Sequence, residues 1–460
     1  MPAREGLKVY RYRWVVLFVF LLQLTMTNVV WITFAPITGP AARFYGVSDL
    51  SIGLLSMIFM VTFILFSVPA SWVIDTYGLK VGVGVGAALT AVFGLTRGLF
   101  ATDYRLVLAS QVLASVGQPF IANAVTTVAS KWFPVDERAT ASGVGTLGMF
   151  FGQIIGLAVT PYLAAGLGIP RTLLVYGAAG IAAAAAFFLL AREKPPTPPC
   201  LPGEEERSLA LEGLRQVLAN PQFRLLLVIY FIGLGAFNAI STWIEDIVRP
   251  RGLDPTQAGL IGGAMVVSGI LGAVVIPLLS DKAMKRKPFF VAAVALCLPG
   301  LAGLSFAGGY GLCLASAAAF GFFLLGLGPL GFQYGAELTY PAPEAASNGL
   351  LLLVGQISGI AFILGMDRFK DPVTGSMAGS MAAIVGLFAV CLALALFLRE
   401  PVRPASAART AGPGAAPGVE AASAAAPAAG PGAGAASGPG AGAGAASGPG
   451  AGATGPSGSR

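Results

Sequence analysis

Apolar residues run almost without interruption through twelve stretches, near 14–38, 50–74, 80–101, 105–130, 139–166, 171–191, 223–246, 256–280, 288–308, 311–336, 346–366 and 377–398. About 20 consecutive apolar residues in a helix cross the roughly 30 Å hydrocarbon core of a bilayer, so each stretch predicts a membrane span. The first is too long, and too poor in small residues at a cleavage position, for a removable signal peptide, and eleven more follow it. Between the sixth and seventh stretches lies a polar segment of about thirty residues, Arg192 to Gln222, with the run Lys194-Pro-Pro-Thr-Pro-Pro199 and the acidic triplet Glu204 to Glu206. It divides the spans six and six. The pattern predicts an all-α integral membrane protein with a six-helix half at 1–191, a central loop at 192–222, a second half at 223–398 and a tail at 399–460.

Composition agrees with that pattern and removes other classes. The 460 residues are 56% hydrophobic and only 11% charged, whereas soluble domains carry about 25% charged residues. Most of the surface must therefore face lipid. The absence of histidine takes away the commonest metal and haem ligand and the usual neutral-pH base, so no cofactor and no enzyme activity are expected. Cys200, Cys297, Cys313 and Cys391 are scattered without a CxxC spacing, which suggests neither a zinc site nor a disulfide framework.

A net charge of +7 resembles a nucleic-acid signal until the charges are placed. Alternate loops, starting from the amino terminus, hold 20 Lys and Arg residues against 7 in the opposite set. By the positive-inside rule both termini and the central loop are cytoplasmic, and no nucleic-acid partner is implied. From Pro401 the chain is mostly Gly, Ala, Pro and Ser, and GAGAASGPG occurs at 432–440 and again at 442–450. Such a segment cannot repay the entropy of ordering, so a disordered tail is expected.

The two halves share local strings. Pro69-Ala-Ser-Trp-Val-Ile-Asp75, followed by Gly78 and Lys80, matches Ile276-Pro-Leu-Leu-Ser-Asp281, an offset of 281 − 75 = 206. Gly152-Gln153-Ile-Ile-Gly156 matches Gly355-Gln356-Ile-Ser-Gly359 at 356 − 153 = 203, and Trp31 corresponds to the neighbourhood of Asn238 at 238 − 31 = 207. These pairs fall in spans 1 and 7, 2 and 8, and 5 and 11, as a parallel duplication of a six-helix unit requires. Binding in such folds lies at the repeat interface near the bilayer midplane.

Asp75, Gly78, Lys80 and Asp281 fit a cytoplasmic gate, in which charge-assisted contacts at helix ends lock one conformation; the alternative is that the carboxylates merely end their helices in solvent. Gln153 and Gln356 are costly amides inside spans unless they have partners or line a wet cavity, and the glycines around them allow close helix approach. Spans 1, 4, 5, 8 and 11 hold no charged residue at depth, and Arg97 is the one buried arginine, near its helix end. A proton-coupled pathway normally carries a titratable group, so uncoupled movement is favoured. A permanent cation can bind instead to aromatic faces at about 0.5–2 kcal/mol each, and Trp31, just before Pro36, is the candidate ring; packing or interfacial anchoring is its alternative role.

Several strings resemble the feline leukaemia virus subgroup C receptor-related branch of the major facilitator superfamily (solute carrier family 49). They are Asn28-Val-Val-Trp31-Ile, Phe44-Tyr-Gly-Val-Ser48, Ser130-Lys-Trp-Phe133, Ala239-Ile-Ser-Thr242 and Gly331-Phe-Gln-Tyr-Gly-Ala-Glu-Leu-Thr-Tyr-Pro341, with Gly152-Gln153 and Gly355-Gln356. The loop string resembles a degenerate Gly-x-x-x-Asp-x-x-Gly-x-Lys motif, with Ser71 for the first glycine and Leu79 for a basic residue. The resemblance implies a rocking transporter of choline, ethanolamine or haem. It also implies a cage in which aromatics of spans 1 and 7 enclose a quaternary ammonium beside glutamines of spans 5 and 11. Trp31, Gln153 and Gln356 match; Asn238 stands at the span 7 aromatic position, with Phe237 beside it and Trp243 further on. The expected protein is thus a monomeric facilitator-type transporter of a small organic cation in the cell membrane. Its rivals are an efflux transporter of amphipathic compounds, a haem or porphyrin exporter, and a non-transporting receptor or scaffold.

Overall fold

Helices begin and end where side chains supply the hydrogen bonds that a helix terminus lacks. The computed structural model describes residues 9–197, 211–340, 342 and 344–400, with the side chains of 139, 211–214 and 345 excepted. The tail expected from 401 onward, Cys200 and the acidic triplet of the central loop lie outside the described residues. Among the described residues every regular element is helical. The first half comprises α1 (Arg13–Ile32), α2 (Thr38–Tyr45), α3 (Asp49–Tyr77), α4 (Leu79–Leu99), α5 (Tyr104–Ala122), α6 (Val125–Trp132), α7 (Arg138–Ile154) and α8 (Thr160–Leu190), with a π-helical turn at Ile155–Val159. Then come α9 (Leu211–Ala219), α10 (Pro221–Thr242), α11 (Ile244–Val248), α12 (Pro255–Ala283), α13 (Lys287–Phe306), α14 (Tyr310–Thr339), α15 (Glu344–Arg368) and α16 (Ala378–Phe397).

Asp254 forms a capping box with Gln257 at the start of α12, and Ser48, Asp103 and Asn220 accept backbone N–H groups at the starts of α3, α5 and α10. Each satisfies donors that the first helical turn leaves free. Gly78 has a φ of 95°, which lets α3 turn directly into α4.

Among the described residues, eleven continuous helical stretches are long and apolar enough to cross a membrane. One, Val135–Leu190, has 56 residues, about 84 Å at 1.5 Å per residue, far more than one bilayer. Gly168, at φ 78°, breaks it within α8. It therefore supplies two passes, and the twelve spans of the sequence are recovered with the fifth and sixth joined head to tail. The expected central loop is not all loop: α9 occupies Leu211–Ala219 and Asn220 caps α10 while donating to Leu338 O at 2.7 Å. The expected tail boundary at 399 also moves, because Glu400 accepts the backbone N–H of both Arg286 and Lys287 and Arg399 N donates to Gln222 at 2.8 Å.

Close packing within each half is carried by the predicted glycines. On α7, Gly148 and Gly152 leave no room for a Cβ beside the α1 backbone at Leu21 and Thr25, and Gly156 of the π-helical turn abuts Ile32. On α15, Gly355 meets Leu234 of α10. The same small-residue spacing thus seats α7 on α1 and α15 on α10, as the duplication requires. Between halves, α3 packs on α15, while α7 and its π turn pack on α12, where Gly259, Gly262 and Gly263 accept Leu157, Ala158 and Pro161.

Candidate functional site

The carboxyl end of α1 sets the position of Trp31. Pro36 cannot donate a backbone hydrogen bond, and the last carbonyls of any helix are orphaned. Here side chains from three other helices, together with Thr33, take them up. Thr33 satisfies Val29 O through its N–H at 3.1 Å. Arg97 Nη1 of α4 and Gln111 Nε2 of α5 both donate to Val30 O, at 3.0 and 3.1 Å. The Ser56 hydroxyl of α3 donates to Trp31 O at 3.2 Å, and the Trp31 indole N–H donates back to Ser56 O at 3.1 Å. Trp31 is 6% exposed. Its polar atom is already spent, so the group it has left to offer a ligand is the face of its ring.

One turn along α3 from Ser56, Met60 meets the second half: a Cβ placed at Gly359 of α15 would lie 2.6 Å from Met60 Sδ and 2.9 Å from Asn238 Nδ2. Asn238 donates to Gly355 O at 3.3 Å, one residue before Gln356. Trp31, Asn238 and the Gln356 turn are therefore arranged along one stretch of α3. Gln153 lies on α7 beside Gly152, which is seated on α1, and its neighbour Ile154 lines a groove of about 310 Å³ with Leu260, Gly263 and Tyr310 of the other half. Gln153 is buried and Gln356 partly so, and neither makes a hydrogen bond among the described residues. Phe237 goes elsewhere: with Tyr230, Phe290 and Phe388 it lines a separate apolar cavity of about 60 Å³ inside the second half. Adjacent helical residues point about 100° apart, and here Phe237 faces that cavity while Asn238 faces Gly355 and Gly359 of α15.

The proposed gate residues lie at the end of the bundle that holds Arg13, here the proximal end. Asp75 is exposed at the end of α3. The backbone N–H groups of Leu79 and Lys80 donate to Glu193 at 2.9 and 2.7 Å, and Glu193 also pairs with Lys131 of α6. Asp281 pairs with Arg286, which reaches Glu337 at 3.0 Å. These contacts stay within each half. Ser71, in place of a motif glycine, accepts a hydrogen bond from Asn123 at 3.0 Å and ties α3 to the break between α5 and α6.

At the opposite, distal end the halves are joined by charge. Asp49 of α3 receives Arg249 Nη2 at 2.8 Å and Lys370 Nζ at 2.5 Å, and Glu245 receives the backbone N–H of Gly39 at 2.9 Å. Asp246, fully buried, binds the same two cations at 2.7 and 2.8 Å. Beneath this clasp Trp243, also fully buried, presses on Gly53 of α3 and donates to Ile363 O at 3.1 Å. Trp243 is thus a wedge between α3 and α15. The clasp was not apparent from the sequence: the string Glu245-Asp246-Ile-Val-Arg249 right after a span was its one visible sign, and its partners Asp49 and Lys370 lie 200 or 124 residues away from it.

Comparison with known proteins gives the same architecture. Residues 14–363 match the Major Facilitator Superfamily. The chain is 31% identical over 392 residues to the choline/ethanolamine transporter flvcr2b of Danio rerio, covering 81% of each. It is 30% identical to the human choline/ethanolamine transporter FLVCR2, covering 79% of this chain and 73% of that one, and 29% identical to solute carrier family 49 member A3 of Danio rerio, covering 81% and 82%. A bacterial homologue of the human lysosomal transporter Spinster, solved inward-facing and unoccupied, superposes with a TM-score of 0.68 at 18% identity over 85% of this chain and 98% of that one.

Proposed function

The chain belongs to the Major Facilitator Superfamily and, within it, to the feline leukaemia virus subgroup C receptor-related family, solute carrier family 49, and on that premise we propose that it carries choline, ethanolamine or a closely similar amino-alcohol cation. The halves rock about the Trp31, Asn238, Gln153 and Gln356 positions. The observation that carries the substrate class is the fixed indole of Trp31, whose N–H is engaged by Ser56, so that its remaining attraction is for positive charge over the ring. Gln153 and Gln356 supply uncommitted amides for a hydroxyl, and Asn238 forms the opposite wall. Choline has that shape: a permanent cation at one end and one hydroxyl at the other. Among the described residues, spans α1, α7 and α15 bring no buried carboxylate to these positions, which supports movement down the electrochemical gradient.

In this reading the protein works as a monomer in the cell membrane with both termini cytoplasmic, supported by the 20 to 7 division of basic residues between alternate loops. The proximal end is then the inner side, the distal clasp closes the outer side, and Asp75, Gly78, Lys80 and Asp281 belong to the inner gate. The test is uptake of labelled choline into proteoliposomes. Saturable uptake without a proton gradient, driven by an inside-negative potential and weakened in Trp31→Ala, is expected. Uptake that requires a proton gradient would overturn the uncoupled mechanism, and export of dye-like cations with no choline uptake would replace the substrate.

A further inference from the structure

Three carboxylates and two cations meet in the distal clasp: Asp49, Glu245 and Asp246 against Arg249 and Lys370. Two further groups stand around them, Arg43 of α2 near Glu245 and Asp367 of α15 near Lys370 and Asp49, one of each sign. The cluster therefore holds one negative charge more than it can pair, and the surplus is localised. Asp246 is 0% exposed, its Oδ1 accepts both cations, and its Oδ2 has no hydrogen-bond partner. A buried oxygen that is charged and undonated is unfavourable, and a proton on it removes the penalty.

We propose that the clasp is a proton-binding site: Asp246 takes one proton from the distal solution as the halves close there and returns it to the same solution as they part. A hydronium gives its proton to Oδ2 and leaves as water; nothing else changes hands. Asp246 lies beyond the end of α10, on the side from which the proton came, so the proton regulates the transporter without crossing the membrane. The geometry of this site stands by itself, while its consequence for uptake rests on the transporter reading.

The sign follows from the two environments. In the closed clasp burial raises the Asp246 carboxyl to about 7, against the pull of Lys370 and Arg249 and with the help of Asp49 and Glu245. In the open form water surrounds it and its value returns to about 4. Between these limits closing takes up a proton, so acid favours the closed form. Below the lower limit both forms are protonated, and above the upper limit neither is, so the dependence is confined to that window. One group gives at most about a tenfold change in the closed-to-open ratio per pH unit.

Spin labels at Phe44→Cys of α2 and Val373→Cys of the α15–α16 loop, in a Cys200→Ser background, report distal closure in lipid nanodiscs without any substrate. Both positions are exposed, and Cys297, Cys313 and Cys391 are buried. The short-distance population is expected to fall as pH rises from 4.5 to 8. Asp246→Asn, which keeps the shape and cannot ionise, is expected to abolish the response. Lys370→Gln, which removes a cation favouring the ionised form, is expected to move the midpoint to higher pH. A distance distribution that ignores pH, or a response that survives in Asp246→Asn, overturns the proposal. In liposomes with a trapped pH dye, choline uptake that moves the luminal pH overturns same-side release. Absence of choline uptake would count against the substrate and leave the distance measurement to decide the site.

Discussion

Trp243 of the second half lies so close to Gly53 of the first that a Cβ at position 53 would come within 2.6 Å of its Cη2 atom. The indole is held from behind by Ile363 O, so it cannot easily yield. Closure at the distal end therefore requires a bare backbone at position 53. Gly53→Val is expected to hold the halves apart at that end and to cut maximal uptake by about 5- to 150-fold, since a steric penalty of about 1–3 kcal/mol is typical of overpacking. The label pair described above reads this as a loss of the short distance; an unchanged distribution would show that Trp243 has another place to go.

Trp31 separates ring from N–H. Trp31→Phe keeps an aromatic face and loses the bond to Ser56 O, while Trp31→Ala loses both. With a cation–π contribution of about 0.5–2 kcal/mol, Trp31→Ala is expected to weaken choline binding roughly 2- to 30-fold, and Trp31→Phe less. Equilibrium binding of labelled choline checks the order of the three proteins.

Gln153 and Gln356 spend no hydrogen bond on the protein among the described residues. Replacing either by Leu is therefore expected to leave the melting temperature nearly unchanged while reducing affinity for a hydroxylated cation by about 0.5–1.5 kcal/mol. Tetramethylammonium, which lacks the hydroxyl, is the control: its binding is expected to be indifferent to both changes. Equal losses for both ligands would assign the amides to helix packing.

Glu193 caps α4 from outside the helix. Burial disfavours its charge, but Lys131 and the N–H groups of Lys80 and Leu79 outweigh that and hold its carboxyl below the ordinary range. A lowered native value contributes stability that is present above the ordinary carboxylate range and lost as pH falls through the native value. Glu193→Gln is expected to lose about 0.3–1 kcal/mol at pH 7, typical of an anion at a helix amino terminus, and the gap in melting temperature should close as the pH falls below the ordinary carboxylate range.

The spans, their division six and six, and the glycine seats of α7 and α15 were legible because each depends on residues close in sequence. Hydrophobic length and small-residue spacing are local. The approach of Asn238 to the Gln356 turn was implied by the family resemblance. The clasp was not legible, because Asp49 and Lys370 stand 321 residues apart and each looks like an ordinary span-end charge. Asn238 and Phe237 show another limit. The sequence offered Phe237 beside Asn238 as a candidate for the wall opposite Trp31, whereas in the structure Phe237 lines an interior cavity of the second half and Asn238 reaches Gly355 of α15.

The hydrogen bonds that Arg97, Gln111 and Ser56 make to the end of α1 mean that the ring proposed to bind the cation is set by folding and not by a ligand. On the proposed reading, a substrate arriving at Trp31 has little ordering left to impose, so its contact free energy is free to shift the balance between the two halves. Ligand selectivity can accordingly change through α4 and α5, by rotating the indole, with no substitution among the residues that touch the substrate.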